Sequence, residues 1–126
     1  MTDNKEKGNI GEDYACGFLE RKGYRILDRN YRSRYGEIDI IAEKGGYIAF
    51  VEVKTRQFNT PVSGKLAVDI YKQKRIASTG CLYLDEHETE GLSPRFDVIT
   101  VDLSGKRVCG IRHLEGAFTT ESFFGY

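Results

Sequence analysis

Apolar positions in the first quarter of the chain follow a helical repeat. Tyr14, Ala15, Phe18 and Leu19 share one face of a helix predicted over residues 4–22, and Gly23 supplies the stop. Residues 24–31 read as a first strand and 32–35 as a connection. The stretch from Gly36 to Arg56, GEIDIIAEKGGYIAFVEVKTR, holds two β-rich runs around Gly45-Gly46, the signal for a two-residue hairpin turn. Residues 57–64, with Asn59, Pro61, Ser63 and Gly64, read as a loop leaving the second hairpin strand. Asp69 is placed to cap a second helix running to about His87, with Gln73, Ile76, Ala77, Gly80 and Leu84 on one face. Gly80 inside that helix implies a close approach to the sheet. A polar linker at 88–93 precedes strands at 95–102 and 106–114, joined across Ser104-Gly105. The tail from Glu115 carries Phe118, Phe123, Phe124 and Tyr126, aromatics expected to pack on the domain or on another subunit. A helix between the third and fourth strands is a crossover and makes them parallel. The expected architecture is one α/β domain over residues 1–126, a mixed sheet flanked by helices on both faces.

The hairpin carries charge where a buried ribbon should have none. Asp39 lies between Ile38 and Ile40, and Glu52 between Val51 and Val53. With Gly45-Gly46 as the turn, Lys44 pairs with Tyr47, and counting outward sets Asp39 opposite Glu52 and Glu37 opposite Lys54. Directly opposed residues stand roughly 5 Å apart at Cβ, so two carboxylates there repel unless something neutralises them. A hard divalent cation such as Mg²⁺, taking one oxygen from each, is the chemistry that fits. Lys54, on the same side of its strand as Glu52, can hold an attacking water or offset phosphate charge. Alternation puts Ile38, Ile40, Ala42, Ala49, Val51 and Val53 on one face. Ile41, Ile48 and Phe50 share the other with Asp39, Glu52 and Lys54. Apolar groups on both faces imply a sheet covered on both sides. The competing reading is a solvated face or a structural ion pair among the three charges.

Composition narrows the classes further. The 126 residues hold 19 basic and 19 acidic side chains, a formal net charge of +0, which argues against coating nucleic acid by bulk charge. Local clusters survive that argument: Arg29, Arg32 and Arg34 before the hairpin, and Lys72, Lys74 and Arg75 after it. Cys16, Cys81 and Cys109 form neither a disulfide framework nor a zinc motif and are expected to be packed or inert. His87 and His113 stand isolated in the sequence and receive no role. With no apolar run long enough to span a bilayer and a polar start, a cytoplasmic location is the expectation.

Asp39 followed by Glu52-Val53-Lys54 resembles the D…(D/E)XK signature of the PD-(D/E)XK nuclease superfamily. The longer context resembles the YraN family of uncharacterised bacterial proteins, relatives of archaeal Holliday-junction resolvases. The matching elements are Gly11-Glu12 with Ala15, the hairpin, Lys72-Gln73 with Arg75, Arg95-Phe96-Asp97-Val98, and Ala117-Phe118. The resemblance implies a restriction-endonuclease-like αβββαβ core with one added strand. It implies a Mg²⁺- or Mn²⁺-dependent nuclease acting on nucleic acid, chiefly structured or branched DNA. Asp39 and Glu52 would hold the metal, with Lys54 as the catalytic ammonium. From its helical position alone Glu12 reads as a solvated glutamate at the border of the buried face; the resemblance adds it to the metal site. Arg56 and Lys72 are candidates for gripping phosphates, and Gln73 for bonding a site water or a phosphate, against the plainer reading of a helix-end glutamine. Asp97 reads as a structural partner for a basic group. A homodimer follows if two strands are cut symmetrically. The alternative function is a weakly active or inactive nucleic-acid or protein binding module on the same fold.

Overall fold

Helix α1 (Asn4–Arg21) ends where the sequence places a stop. Gly23 takes φ 96, its N–H bonds Glu20 O (3.0 Å), and Tyr24 N–H bonds Leu19 O (3.0 Å). This paired closure satisfies two of the carbonyls that a helix end leaves open. The computed structural model describes residues 4–58 and 69–119. After α1 come β1 (Arg25–Ser33), β2 (Gly36–Lys44), β3 (Tyr47–Gln57), α2 (Ile70–Glu86), β4 (Ser93–Ser104) and β5 (Arg107–Phe118). The five strands lie in the order β1-β2-β3-β4-β5, antiparallel except for the parallel pair β3-β4 that α2 connects. The fold is α/β, a mixed sheet between two helices, and its order is compatible with a restriction-endonuclease-like αβββαβ core plus β5.

The hairpin register is the expected one. Gly45 (φ 59) and Gly46 (φ 84) make the turn, in backbone that side-chain-bearing residues rarely adopt, and Lys44 pairs with Tyr47 through to Ile40 with Val51. At the start of α2 the Asp69 carboxylate accepts from Lys72 N (2.9 Å), the expected cap.

Two apolar clusters sandwich the sheet. Ala15 and Leu19 of α1, with Tyr24, pack on Ile40, Ala42, Ala49, Val51, Ile99, Val101 and Leu103. Ile76, Ala77 and Tyr83 of α2 pack on Ile38, Ile41, Ile48, Phe50, Phe96 and Val98. A β-carbon on Gly80 would come within 3.2 Å of the Phe50 ring, so this glycine permits the predicted close helix-sheet contact. A second close approach was not anticipated: a β-carbon on Gly11 would overlap Thr55 Oγ1 and stand 3.1 Å from Thr55 Cβ.

Several expectations are corrected. Tyr14 is exposed, because the strip α1 turns to the sheet is centred on Ala15 and Leu19. On α2 the buried face includes Thr79 and Tyr83, while Leu84 sits at its margin. Cys81 and Cys109 are exposed; Cys16 alone of the three is packed. Ile38 belongs to the α2 cluster although Ile40, two residues on, belongs to the α1 cluster. Uninterrupted alternation would put them on one face. The step in phase falls at Asp39, which with Asn30 (φ 53) lies between the pairs Arg29–Ile40 and Tyr31–Ile38. Residues 59–68 and 120–126 fall outside the described residues, and with them most of the loop expected beside the site and the aromatics Phe123, Phe124 and Tyr126 of the tail. Phe118 ends β5 and stacks on Phe96, with ring centroids 5.0 Å apart.

Candidate active site

The β2–β3 pairing ends at Ile40 and Val51, one step short of Asp39 and Glu52. At that point the Asp39 side chain replaces the missing ladder bond: Val53 N–H donates to Asp39 Oδ2 (2.8 Å). Two clefts meet there. One, of about 550 Å³, is lined by Glu37, Asp39, Glu52, Asp69, Tyr71, Lys72 and Arg75 among others. The second, of about 400 Å³, is lined by Lys7, Glu12, Asp39, Glu52, Thr55, Arg56 and Lys72 among others. Asp39, Glu52 and Lys72 are common to both. A cleft of about 690 Å³, bordered by Phe50, Leu84, Phe96 and Phe118, lies apart from these acids.

The charge of Asp39 is disfavoured where it sits. Burial, and then the charge of Glu52, push the Asp39 carboxyl up to about 7, against the pull of the Val53 N–H. Glu52 is 5% exposed, and its Oε1 lies 2.6 Å from the Lys72 ammonium. Burial opposes the charge on Lys72, but the bond to Glu52 and the nearby Asp39 and Asp69 outweigh it and raise its pKa. Glu12 sits in the smaller cleft with its pKa raised by burial, while Asn30 and Arg29 offset part of that rise; Arg29 lies 3.7 Å away. A carboxyl pushed upward by burial and by a neighbouring acid in a cleft, as Asp39 is, is a mark of a functional site.

The predicted residues divide. Asp39, Glu52, Glu12, Arg56 and Lys72 line the same cleft. Among the described residues no three Asp, Glu, His or Cys side chains gather closely enough to enclose a metal ion, so Glu12 shares the cleft without closing on the other two acids. Lys54 is half-buried beside Thr100 in the β3–β4 ladder and lines neither cleft. Among the described residues, the ammonium bonded to a hairpin acid of the cleft is that of Lys72. Glu37, expected opposite Lys54, pairs with Arg32 of β1 (2.9 Å). Arg56 Nε bonds Asp102 Oδ1 (2.6 Å), its neighbour on β4, while its Nη1 is buried with no partner among the described residues. Gln73 is half-buried in the first turn of α2 and lines neither cleft. Two carboxylates with open cleft volume around them suit a cation such as Mg²⁺, which keeps several waters and needs only one or two protein carboxylates.

Asp97 has the structural role read from the sequence, in a larger network than expected. It is 0% exposed and receives both Arg95 Nε (2.9 Å) and Nη2 (2.8 Å), His113 Nε2 (2.8 Å) and Gly116 N (3.0 Å). Burial alone would raise its pKa; these partners hold it down at about 2. His113 is not isolated, since Lys22 Nζ lies 2.8 Å from its Nδ1. Nothing in the local sequence pairs residues 22, 97 and 113.

A model of the uncharacterised protein family UPF0102 matches residues 11–101. The chain belongs to this family. UPF0102 proteins from Syntrophus aciditrophicus (44% identical, over 94% of this chain and 92% of that protein) and Myxococcus xanthus (40%, over 93% and 92%) are among its relatives. A third, from a Sulfurihydrogenibium species, is 42% identical over 94% of this chain and 99% of its own length. The UPF0102 match spans α1 from Gly11 onward, the acidic hairpin, α2 and β4 as far as Val101. It therefore contains Glu12, Asp39, Glu52 and Lys72. No described helix is long and apolar enough to cross a membrane.

Proposed function

We propose that this protein is a metal-dependent phosphodiesterase of the PD-(D/E)XK nuclease type, acting on nucleic acid, with structured or branched DNA as its substrate class. One observation carries the reading: the strand ladder opens where buried Glu52 meets half-buried Asp39, and both clefts at that opening contain Asp39, Glu52 and Lys72. A divalent ion on Asp39 and Glu52 would acidify a bound water and offset charge on a phosphate. Asp39, fixed through Oδ2 by Val53 N–H, lines both clefts and would offer its Oδ1 to the ion. Glu12 acts through water rather than by direct contact. Lys72 and Arg56 supply cationic surface for phosphates on either side of the scissile bond. Lys54, on the same side of β3 as Glu52, lies outside both clefts, so on this reading Lys72 is the ammonium at the acids and Lys54 reaches the attacking water or the phosphate only by swinging its flexible stem inward.

Mg²⁺- or Mn²⁺-dependent cleavage of branched, flapped and linear DNA tests the proposal, with Asp39→Ala as control. Cleavage by the native chain that the variant loses supports it; no cleavage, or equal cleavage by the variant, overturns it.

A second reading, a binding module with little or no cutting activity, is favoured by the Lys72–Glu52 pair, which already neutralises one acid. A module of that kind binds branched DNA equally well after Asp39→Ala and takes up no Mn²⁺ at the hairpin acids.

A further inference from the structure

Lys72 is one ammonium facing more than one carboxylate. Its Nζ lies 2.6 Å from Glu52 Oε1, and Asp39 and Asp69 are the other acids whose charge it feels. The Glu52 end of the pair is buried, whereas half of the Lys72 side chain is exposed to the clefts. Its backbone is fixed: Lys72 N–H donates to the Asp69 carboxylate at the helix cap. Its four-carbon stem is flexible, so the charge can move while the helix stays in place.

A divalent ion bound to Glu52 Oε1 would lie about 2 Å from that oxygen. The ammonium already occupies that oxygen, and two cations so close repel. We infer that Lys72 is a built-in counter-ion that a divalent cation displaces from Glu52, and that the freed ammonium then binds a nucleic-acid phosphate. This rests on the metal site proposed above and adds an order to it. Metal entry creates part of the anion-binding surface, so metal and nucleic acid bind cooperatively. By linkage each then raises the affinity of the other by the same factor. Without metal, the site is neutralised from within and its clefts offer one cation fewer.

Calorimetric titration with Mn²⁺ of the native chain, Lys72→Met and Arg75→Met tests the exchange. Arg75 lines the larger cleft, so its replacement removes the same formal charge and serves as the electrostatic control. Displacement predicts Mn²⁺ binding tightened by about fivefold in Lys72→Met, the order expected for releasing a partly exposed ion pair, and by less than about twofold in Arg75→Met. A gel shift with a flapped DNA in Ca²⁺ and in EDTA reads the coupling: Ca²⁺ strengthens binding by the native chain more than by Lys72→Met, in which only the ion's own attraction for the phosphate remains. Equal tightening in both variants, weaker Mn²⁺ binding in Lys72→Met, or coupling undiminished by that substitution overturns the exchange. Mn²⁺ binding by none of the three chains overturns the metal site itself, and the exchange with it.

Discussion

Neutralising Asp39 should stabilise the metal-free protein, and more so as pH rises. The carboxyl titrates near 3.8 when unfolded and at about 7 in the fold, where burial and Glu52 disfavour its charge. Because the raised folded pKa means that the native state binds the proton more tightly, stability is fully present below about 4 and falls as pH climbs through about 7. A shift of about 3 units corresponds to an upper bound of about 4 kcal/mol. Solvent in the open clefts screens part of this, so about 1–3 kcal/mol is the expected gain. Asn at this position keeps an acceptor for Val53 N–H and removes only the charge. Urea denaturation in EDTA, compared for the native chain and Asp39→Asn, should show nearly equal stability at pH 4 and a more stable variant at pH 8. Excess Mn²⁺ should then stabilise the native chain and close the gap, since a ligand that binds only the folded state stabilises it. A variant less stable at pH 8, or a gap that does not change with pH, would refute the electrostatic reasoning.

Asp97→Asn removes a fully buried carboxylate from its charge cluster and should cost about 3–5 kcal/mol at pH 7 in denaturant titrations. The native chain should also lose about 2 kcal/mol as pH falls from about 4 towards about 2, because the folded pKa of Asp97 is depressed to about 2; the variant should show no such loss. Gly11→Ala should destabilise by about 1–2 kcal/mol, since overlap with Thr55 outweighs the better helix propensity of alanine, and Thr55→Gly should recover much of that loss in the double variant. Asp69→Ala should cost about 1 kcal/mol of thermal stability through the lost bond to Lys72 N. Glu12→Gln should reduce DNA cleavage less than Asp39→Asn does, because Glu12 stands in the cleft without closing on the other two acids.

Local chemistry determined much of this protein in advance. Gly45-Gly46 fixed the hairpin register, because a two-residue turn leaves no freedom in which strand residues pair. Gly23 and Asp69 marked helix ends by backbone preference and by a reachable carboxylate. A helix after β3 compelled the parallel β3–β4 pair. Asp39 and Glu52 were legible for the same reason, being two charges in apolar strands at a countable register.

What depended on rotation and packing between distant segments was settled only by the tertiary structure. Lys72 meets Glu52 because α2 docks with that face over the open end of the β2–β3 ladder, a rotation that no pattern within α2 specifies. Ile38 changed sides because the strand alternation steps at Asp39, and a period of two cannot foresee a break in itself. Lys22, Asp97 and His113 came together from α1's end, β4 and β5, where the buried Asp97 carboxylate needs hydrogen-bond donors that water cannot supply. Sequence fixes contacts where the chain is short between partners. Across the sheet, partners are chosen by which packing buries the apolar faces with the fewest unpaired charges left inside.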